Sequence, residues 1–202
     1  YFGMWDDTMR TLSIITVCTL LSIVLGIPIG ILMSGSKRIQ GIVTPILDVM
    51  QTMPAFVYLI PVVMLLGIGK IPGVIAVVIY AIPPVIRLTN LGIRLVDKEV
   101  LEASAAYGAN RWQTLWGVQM PLAMPTIMAG INQTIMMALA MVVIASMIGV
   151  KGLGQPVLKA ITNQYFTLGL FNGLAIVALA IIFDRVSGLR KTSAKTSRRR
   201  SP

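Results

Sequence analysis

Long uninterrupted apolar runs dominate the pattern of hydrophobic and polar positions along the chain. A helix needs about 20 apolar residues to cross about 30 Å of hydrocarbon. Five runs come close to this length and predict five membrane-spanning helices, because only internal hydrogen bonding satisfies a backbone in lipid. The predicted spans cover about residues 11–33, 43–67, 71–88, 125–150 and 167–184. The expected fold class is an all-α integral membrane protein.

Composition agrees with this pattern and excludes several classes of protein. The 202 residues are 56% hydrophobic and 12% charged, with a mean hydropathy of +0.84, too little polar surface for a water-soluble globule. The net charge of +10 lies in gaps between the apolar runs and in one tail, which disfavours nucleic-acid binding. Cys18 is the single cysteine, so no intramolecular disulfide forms. The sequence has no short apolar stretch followed by a cleavage site, so we expect no signal peptide.

Basic residues predict the orientation, since Lys and Arg are enriched in short cytoplasmic loops. With the N-terminus outside, thirteen of the 17 Lys and Arg residues fall inside and four outside. We therefore expect a cytoplasmic C-terminus and a cytoplasmic segment from Arg87 to Met124. Residues 186–202 are rich in Arg, Lys, Ser and Thr and predict a disordered tail. This tail is interpreted as a topology anchor in preference to a regulatory lipid sensor.

Proline and glycine interrupt the first three spans more often than a simple anchor requires. Each proline removes a backbone donor and can bend its helix, which is typical of a moving or cavity-lining bundle. Small residues also allow close helix packing in membranes, and both interpretations stay open. The residues concerned are Gly26, Pro28, Gly30, Pro45, Pro54, Pro61, Pro83 and Pro84.

The polar segment between the third and fourth spans predicts two short helices. Asp97 is placed as the N-cap of the first helix and Gly108 as its left-handed terminator. Asn110 and Gln113 have the spacing of a capping box that opens the second. Such a pair is either a compact knob that docks on another protein or an ordinary surface loop. The predicted turn back towards the membrane is marked by Pro121 and Pro125.

The same segment resembles the signature loop of binding-protein-dependent ABC importer permeases. That signature reads Glu-Ala-Ala, three residues, Gly, nine residues, Ile, one residue, Leu-Pro. Every position matches in spacing, but three differ in residue type: Ser104, Val118 and Met120. The resemblance implies that this loop is a coupling helix docking into an ATPase subunit. It assigns that role to Glu102, Ala103 and Gly108, with Ser104 and Pro121 as the other candidate positions in the loop.

A wider resemblance covers the chain from about Trp5 to Arg185, within a permease domain expected over residues 1–185. It is similar to the glycine betaine/proline betaine branch of these permeases in four segments: residues 50–61, 81–88, 121–134 and 143–149. The resemblance implies a type I ABC importer permease fold with five transmembrane helices and a cytoplasmic coupling helix. It also implies a second permease copy, two ATPase subunits and an extracytoplasmic substrate-binding protein, in a bacterial inner membrane.

The chain lacks the sequence elements of an energy-converting or catalytic centre. No Gly-x-x-x-x-Gly-Lys-Ser/Thr motif is present, since Gly69-Lys70 is followed by Ile71. There is no histidine and no carboxylate pair at helical spacing within a span. We therefore expect a transporter subunit without enzyme activity or cofactor, with ATP and Mg²⁺ held by a partner.

One acid and a few aromatic residues are the candidate pathway or gate residues. Asp48 lies within an apolar run, where an unpaired charge costs about 2.5 kcal/mol or more. Arg87 is predicted at similar depth, so an Asp48–Arg87 pair is hypothesised as structural or gating. The aromatic candidates deep in the spans are Phe56, Tyr58 and Tyr80. All three tryptophans are misplaced for a cage around a quaternary ammonium. They are interpreted as interfacial anchors in preference to contacts with the ATPase.

The predicted function is transport of glycine betaine, proline betaine or a related quaternary amine. Within transport, the alternatives are a permease for choline, methionine or a sulfonate. An ion-coupled secondary carrier or channel is disfavoured because the sequence shows neither inverted repeats nor several buried carboxylates. An intramembrane enzyme is disfavoured by the missing catalytic groups.

Overall fold

The chain folds into a helical bundle in which no strand occurs among the described residues. The computed structural model describes residues 4–197, with side chains described for residues 4–186. In chain order the helices are α1 (Met4–Gly35), α2 (Lys37–Thr52), α3 (Ala55–Leu66), α4 (Lys70–Arg94), α5 (Lys98–Ala106), α6 (Arg111–Thr114), α7 (Met120–Ala145), α8 (Gly154–Asn163) and α9 (Phe166–Ser197).

Within the described range, four continuous helical segments are long and apolar enough to cross a membrane. They are α1, α4, the stretch Arg111–Ile148, and the part of α9 from Phe166 to Val186. A fifth crossing requires α2 and α3 together, which are bent by 101° relative to each other. The prediction of several apolar spans is confirmed, and the predicted span over residues 43–67 consists of two helices rather than one continuous helix.

The break between α2 and α3 lies at Met53 and Pro54. Proline lacks an N–H group, and its ring disfavours helical backbone at the preceding residue. Met53 accordingly has extended backbone, with φ −72° and ψ 133°, and Pro54 is the N-cap of α3. The neighbouring prolines at positions 45 and 61 lie inside α2 and α3 without ending them. Of the three prolines in this region, Pro54 is therefore the one at which the chain bends sharply.

Helix α4 is the centre of the bundle and packs between α1 and α7. A Cβ atom on Gly30 of α1 would lie 2.6 Å from Cβ of Thr89 and 2.8 Å from the carbonyl oxygen of Ile86. On the other side, a Cβ on Gly130 of α7 would lie 2.9 Å from Cβ of Leu88. These glycines let both neighbours approach α4 closely, so the packing interpretation holds at position 30, and Gly130 has the same effect on the other side of α4.

Helices α6 and α7 are joined without a turn, which corrects the predicted change of direction at Pro121 and Pro125. A π-helical turn, Leu115–Gln119, links them, and the N–H of Met120 donates to the carbonyl of Leu115. Pro121 falls in the first turn of α7, and Pro125 lies inside that helix. Pro121 has no N–H group to donate to the preceding turn. A π turn shifts the hydrogen-bonding register by one residue, so the helix continues through this missing bond.

The bundle has two ends, named here by the elements that lie there. At the α5–α6 end, Arg94 donates from Nη2 to the carbonyl of Met33 at 3.0 Å, joining the ends of α4 and α1. At the α8 end, the N–H of Leu153 donates to Oγ1 of Thr11 at 2.9 Å. That end therefore holds the start of α1 and the loop after α7.

Two further differences from the predicted organisation lie in the last third of the chain. Helix α8 occupies part of the predicted loop between the fourth and fifth spans. Helix α9 continues to Ser197, whereas residues 186–202 were predicted to be disordered. Good helix formers such as Leu189, Arg190 and Ala194 allow an existing helix to extend at little cost. Residues 198–202 lie outside the described residues.

Candidate functional site

The loop between α4 and α7 forms a compact projection whose first helix has defined caps at both ends. Asp97 accepts a hydrogen bond from the N–H of Glu99 at 3.2 Å, as predicted for the N-cap. Gly108 has φ +81°. Its N–H donates to the carbonyl of Ala105, and the next N–H donates to that of Ser104. This pattern is a Schellman motif, so the predicted left-handed terminator is confirmed.

The second helix opens with the predicted capping box. Oδ1 of Asn110 accepts from the N–H of Gln113 at 2.9 Å. Oε1 of Gln113 accepts from the N–H of Asn110, also at 2.9 Å. Both bonds satisfy donors that a helix start otherwise leaves unpaired. The start of α6 is therefore defined by side chains of its own first turn.

The exposed surface of this projection is available for contact with another protein. Neither α5 nor α6 contains a buried residue, and Glu102, Ala103 and Gly108 are all exposed. Ser104 is half-buried and lies between the helices, with its Oγ 3.3 Å from Oγ1 of Thr114. Pro121, the fifth candidate, lies on α7 beyond the projection. The structure thus brings four of the five candidate coupling residues together.

Large aromatic side chains surround the candidate coupling residues. Tyr107 is 93% exposed, and Trp112 and Trp116 are 70% and 56% exposed. The two tryptophans are four residues apart, Trp112 on α6 and Trp116 on the π turn. Exposed aromatics of this size are common both at membrane interfaces and at protein contacts.

The projection is anchored to the bundle through a small apolar cluster. Met120 at the start of α7 is buried with Ile93 of α4 and with Ala123 and Ile127 one and two turns along. Leu115 from the π turn packs against the same cluster. The cluster therefore joins the π turn to the start of α7 and to the end of α4.

The hypothesised pairing of Asp48 with Arg87 is confirmed by the structure. Nη2 of Arg87 donates to Oδ1 of Asp48 at 2.6 Å, which links α2 to α4. The side chains are 41% and 56% exposed, respectively. In this single chain the carboxylate is thus more accessible than the expected buried charge. Close by, Leu47 of α2 is buried with Met33 and Ile86.

Two of the three aromatic candidates stabilise the bend between α2 and α3. The hydroxyl of Tyr58 donates to the carbonyl of Met50, across the break. The ring of Tyr58 meets that of Tyr80 edge to face, with centroids 5.5 Å apart and planes at 75°. Phe56 is 52% exposed and lies outside this pair. The three residues therefore do not form one aromatic surface.

A cavity of about 780 Å³ at the α8 end was not predicted. It lies between the first turns of α1, α8 and the first turns of α9, and is open on one side. Its lining includes one carboxylate, Asp7, three aromatic rings and the amide of Asn172. The sequence signal was the close spacing of Tyr165, Phe166 and Phe171, which a reading of apolar runs assigns to a span.

No group of three or more potential metal ligands occurs among the residues that the structure describes. The comparison with known families instead identifies the class of protein. The sequence profile of the family described as "Binding-protein-dependent transport system inner membrane component" matches residues 22–189. This range includes the α5–α6 projection and the Asp48–Arg87 pair.

Proteins similar to the chain over nearly its whole length carry related names. It is 54% identical over 185 residues to the glycine betaine/proline betaine transport system permease protein ProW of Escherichia coli, covering 92% of this chain and 52% of that protein. It is 51% identical to the glycine betaine/carnitine transport permease protein GbuB of Listeria monocytogenes, covering 95% and 68%. For the glycine betaine transport system permease protein OpuAB of Bacillus subtilis, identity is 50%, covering 97% and 70%. The chain spans about half the length of ProW.

A solved structure of the MetNI methionine ABC transporter, described as inward facing, has the same fold. The TM-score is 0.85 with 20% identity, covering 95% of this chain and 97% of that one. At this identity the match concerns the fold alone, which is that of a type I ABC importer permease. The chain is a multi-pass membrane protein and belongs to the family of binding-protein-dependent transport system inner membrane components.

Proposed function

We propose that this chain forms the translocation pathway for glycine betaine, proline betaine or a related quaternary amine. The observation that carries the proposal is the identity of 50–54% to permeases named for glycine betaine, over more than nine-tenths of this chain. Betaines and carnitine share a trimethylated or dialkylated ammonium group. The substrate class is therefore a small zwitterion with a quaternary nitrogen.

ATP hydrolysis, with its Mg²⁺, takes place in a partner subunit into which the α5–α6 projection docks. Four properties support this role: the motif positions Glu102, Ala103 and Gly108 are exposed, α5 and α6 are capped at defined residues, Ser104 links them, and Met120 anchors them to α4 and α7. In this arrangement, closure of the ATPase subunits moves the projection as one body. The adjoining helices then change the opening of the pathway.

The assembly contains two copies of this chain, two ATPase subunits and an extracytoplasmic binding protein. The N-terminus and the α8 end face outside, and the α5–α6 end faces the cytoplasm, in keeping with the distribution of Lys and Arg. Much of the apolar surface of α9 is exposed in the single chain, which leaves it available to lipid and to the second copy. The binding protein supplies most of the selectivity.

The Asp48–Arg87 pair acts as a gate that ties α2 to α4 in one conformation of the pathway. Its support is the 2.6 Å ion pair between two helices that share little other buried surface. Tyr58 and Tyr80 hold the bend that positions α2, and the exposed ring of Phe56 on α3 lines the passage separately from them.

The decisive experiment reconstitutes the permease with its cassette ATPase and binding protein in liposomes. Co-purification of the ATPase and ATP hydrolysis stimulated by glycine betaine more than by choline, proline or methionine are expected. Strongest stimulation by methionine would overturn the substrate class. Uptake driven by an ion gradient without ATP would overturn the mechanism. Glu102→Arg is expected to abolish co-purification, whereas Glu99→Arg, which lies outside the motif, serves as the matched control.

A further inference from the structure

We infer that the cavity at the α8 end is a binding site for a small alkylated ammonium cation, formed by Asp7, the rings of Tyr165, Phe166 and Phe171, and the amide of Asn172. The choice of a quaternary ammonium among such cations rests on the proposed function. The site itself rests on the cavity and its lining.

The size and lining of the cavity fit a small organic cation. Its volume of about 780 Å³ lies within the range of about 300–1,000 Å³ that is typical of small-molecule sites. Aromatic faces attract cations through their quadrupole, and an alkylated ammonium also gains from apolar contact with the ring. Tyr165, Phe166 and Phe171 are 60%, 80% and 57% exposed, so their surfaces are free to contact a ligand in the single chain.

Asn172 supplies the observation that points to a missing ligand. Its side chain is only 2% exposed, and Oδ1 has no hydrogen-bond partner. Nδ2 donates to the carbonyl of Leu168 at 2.9 Å. A carbonyl oxygen only accepts hydrogen bonds, so the amide atom that faces it must be the nitrogen, and this fixes the orientation of the amide. An unpaired buried acceptor is unfavourable, and Asn172 belongs to the wall of the cavity.

Asp7 supplies the formal charge, and its neighbour provides an internal comparison. Asp6 and Asp7 both lie in the first turn of α1, where carboxylates stabilise the helix dipole. Only Asp7 lines the cavity, and it is half-buried while Asp6 is exposed. No ion pair to Asp7 is present among the described residues. Asp7 therefore lines a cavity without an ion-pair partner among the described residues.

Binding of tetramethylammonium to the permease in nanodiscs, measured by titration calorimetry or saturation-transfer NMR, tests the site without the ATPase. Asp7→Asn and Phe171→Leu are each expected to weaken binding about fivefold, because the first removes the formal charge and the second an aromatic face. Asp7→Glu keeps the charge and is expected to stay within about threefold of the unmodified chain. The matched controls Asp6→Asn and Trp5→Leu alter a first-turn acid and an exposed aromatic outside the cavity lining, and are expected to change binding less than twofold.

Three results would overturn the inference: no saturable binding to the unmodified chain, equal weakening by the control variants, or equally tight binding of uncharged tert-butanol. The last result would make the cavity an apolar cleft without charge recognition. Betaine-stimulated ATP hydrolysis in the assembled transporter separates this inference from the proposed function. Stimulation without tetramethylammonium binding leaves the function standing and removes the site. Tetramethylammonium binding without betaine-stimulated ATP hydrolysis leaves the site standing and removes the proposed function.

Discussion

Helices α2 and α4 differ in how firmly the bundle holds them. Fourteen of the 25 residues of α4 are buried, against one of the 16 residues of α2. The position of α4 is determined by close contact with α1 and α7 over its whole length. That of α2 depends on Leu47, the Asp48–Arg87 ion pair and the Tyr58 hydrogen bond across the bend. The comparison indicates a rigid central helix, α4, beside a helix, α2, that few interactions hold. A gated pathway needs one part that stays fixed and one part that is free to move.

The largest expected effect comes from adding one methyl group to the rigid centre. Gly30→Ala places a Cβ 2.8 Å from the carbonyl oxygen of Ile86, which is backbone and cannot rotate away. Overpacking of this kind costs about 1–3 kcal/mol. We expect a clear fall in the thermal unfolding temperature in detergent.

Gly41→Ala in α2 is the matched control, because nothing lies within 4 Å of its added Cβ. Alanine is a better helix former than glycine by up to about 1 kcal/mol, so this variant should be as stable as the unmodified chain or more so. Equal destabilisation by both substitutions would remove the distinction between α4 and α2.

An intermediate effect is expected at the terminator of α5. Gly108→Val forces a branched side chain into left-handed backbone, at a cost of about 1–2 kcal/mol confined to the projection. The bundle should keep its unfolding temperature, while ATPase co-purification and betaine-stimulated hydrolysis fall by tenfold or more.

Gly117→Ala in the π turn serves as the control, because its φ is not positive and no atom lies within 4 Å of the new Cβ. Normal ATPase binding by Gly108→Val would show that the geometry of this terminator is not needed for docking.

The smallest effect on stability, with a clear effect on transport, is expected at the ion pair. Half-exposed pairs contribute about 0.2–1 kcal/mol, so Asp48→Arg and Arg87→Asp alone should barely change the unfolding temperature. Each should nevertheless reduce the transport rate, because like charges then face each other across α2 and α4. The double exchange should restore the rate. A double variant no better than either single one would end the case for this pair as a gate.

The sequence predicted features that depend on short-range spacing. The caps at Asp97 and Asn110 depend on side chains within three residues of their partners, and the Asp48–Arg87 pair follows from depth in two antiparallel spans. The 101° bend was missed because prolines inside α2, α3 and α4 are tolerated, and only packing decides which one breaks the helix. The cavity was missed because it assembles residues about 160 positions apart, from Asp7 to Asn172.

The number of residues between α6 and α7 sets the direction in which α5 and α6 point from the bundle. A helix advances by about 100° per residue, and the π turn Leu115–Gln119 already takes up one residue more than an α-turn, so inserting one further residue there would swing α5 and α6 around the axis of α7 by about that angle. Every helix would remain intact, and spin-label distances from position 107 to the body of α7 would report the rotation. The number of residues between Thr114 and Met120 thus sets the direction from which a partner reaches the projection. Insertions or deletions there therefore matter more than substitutions.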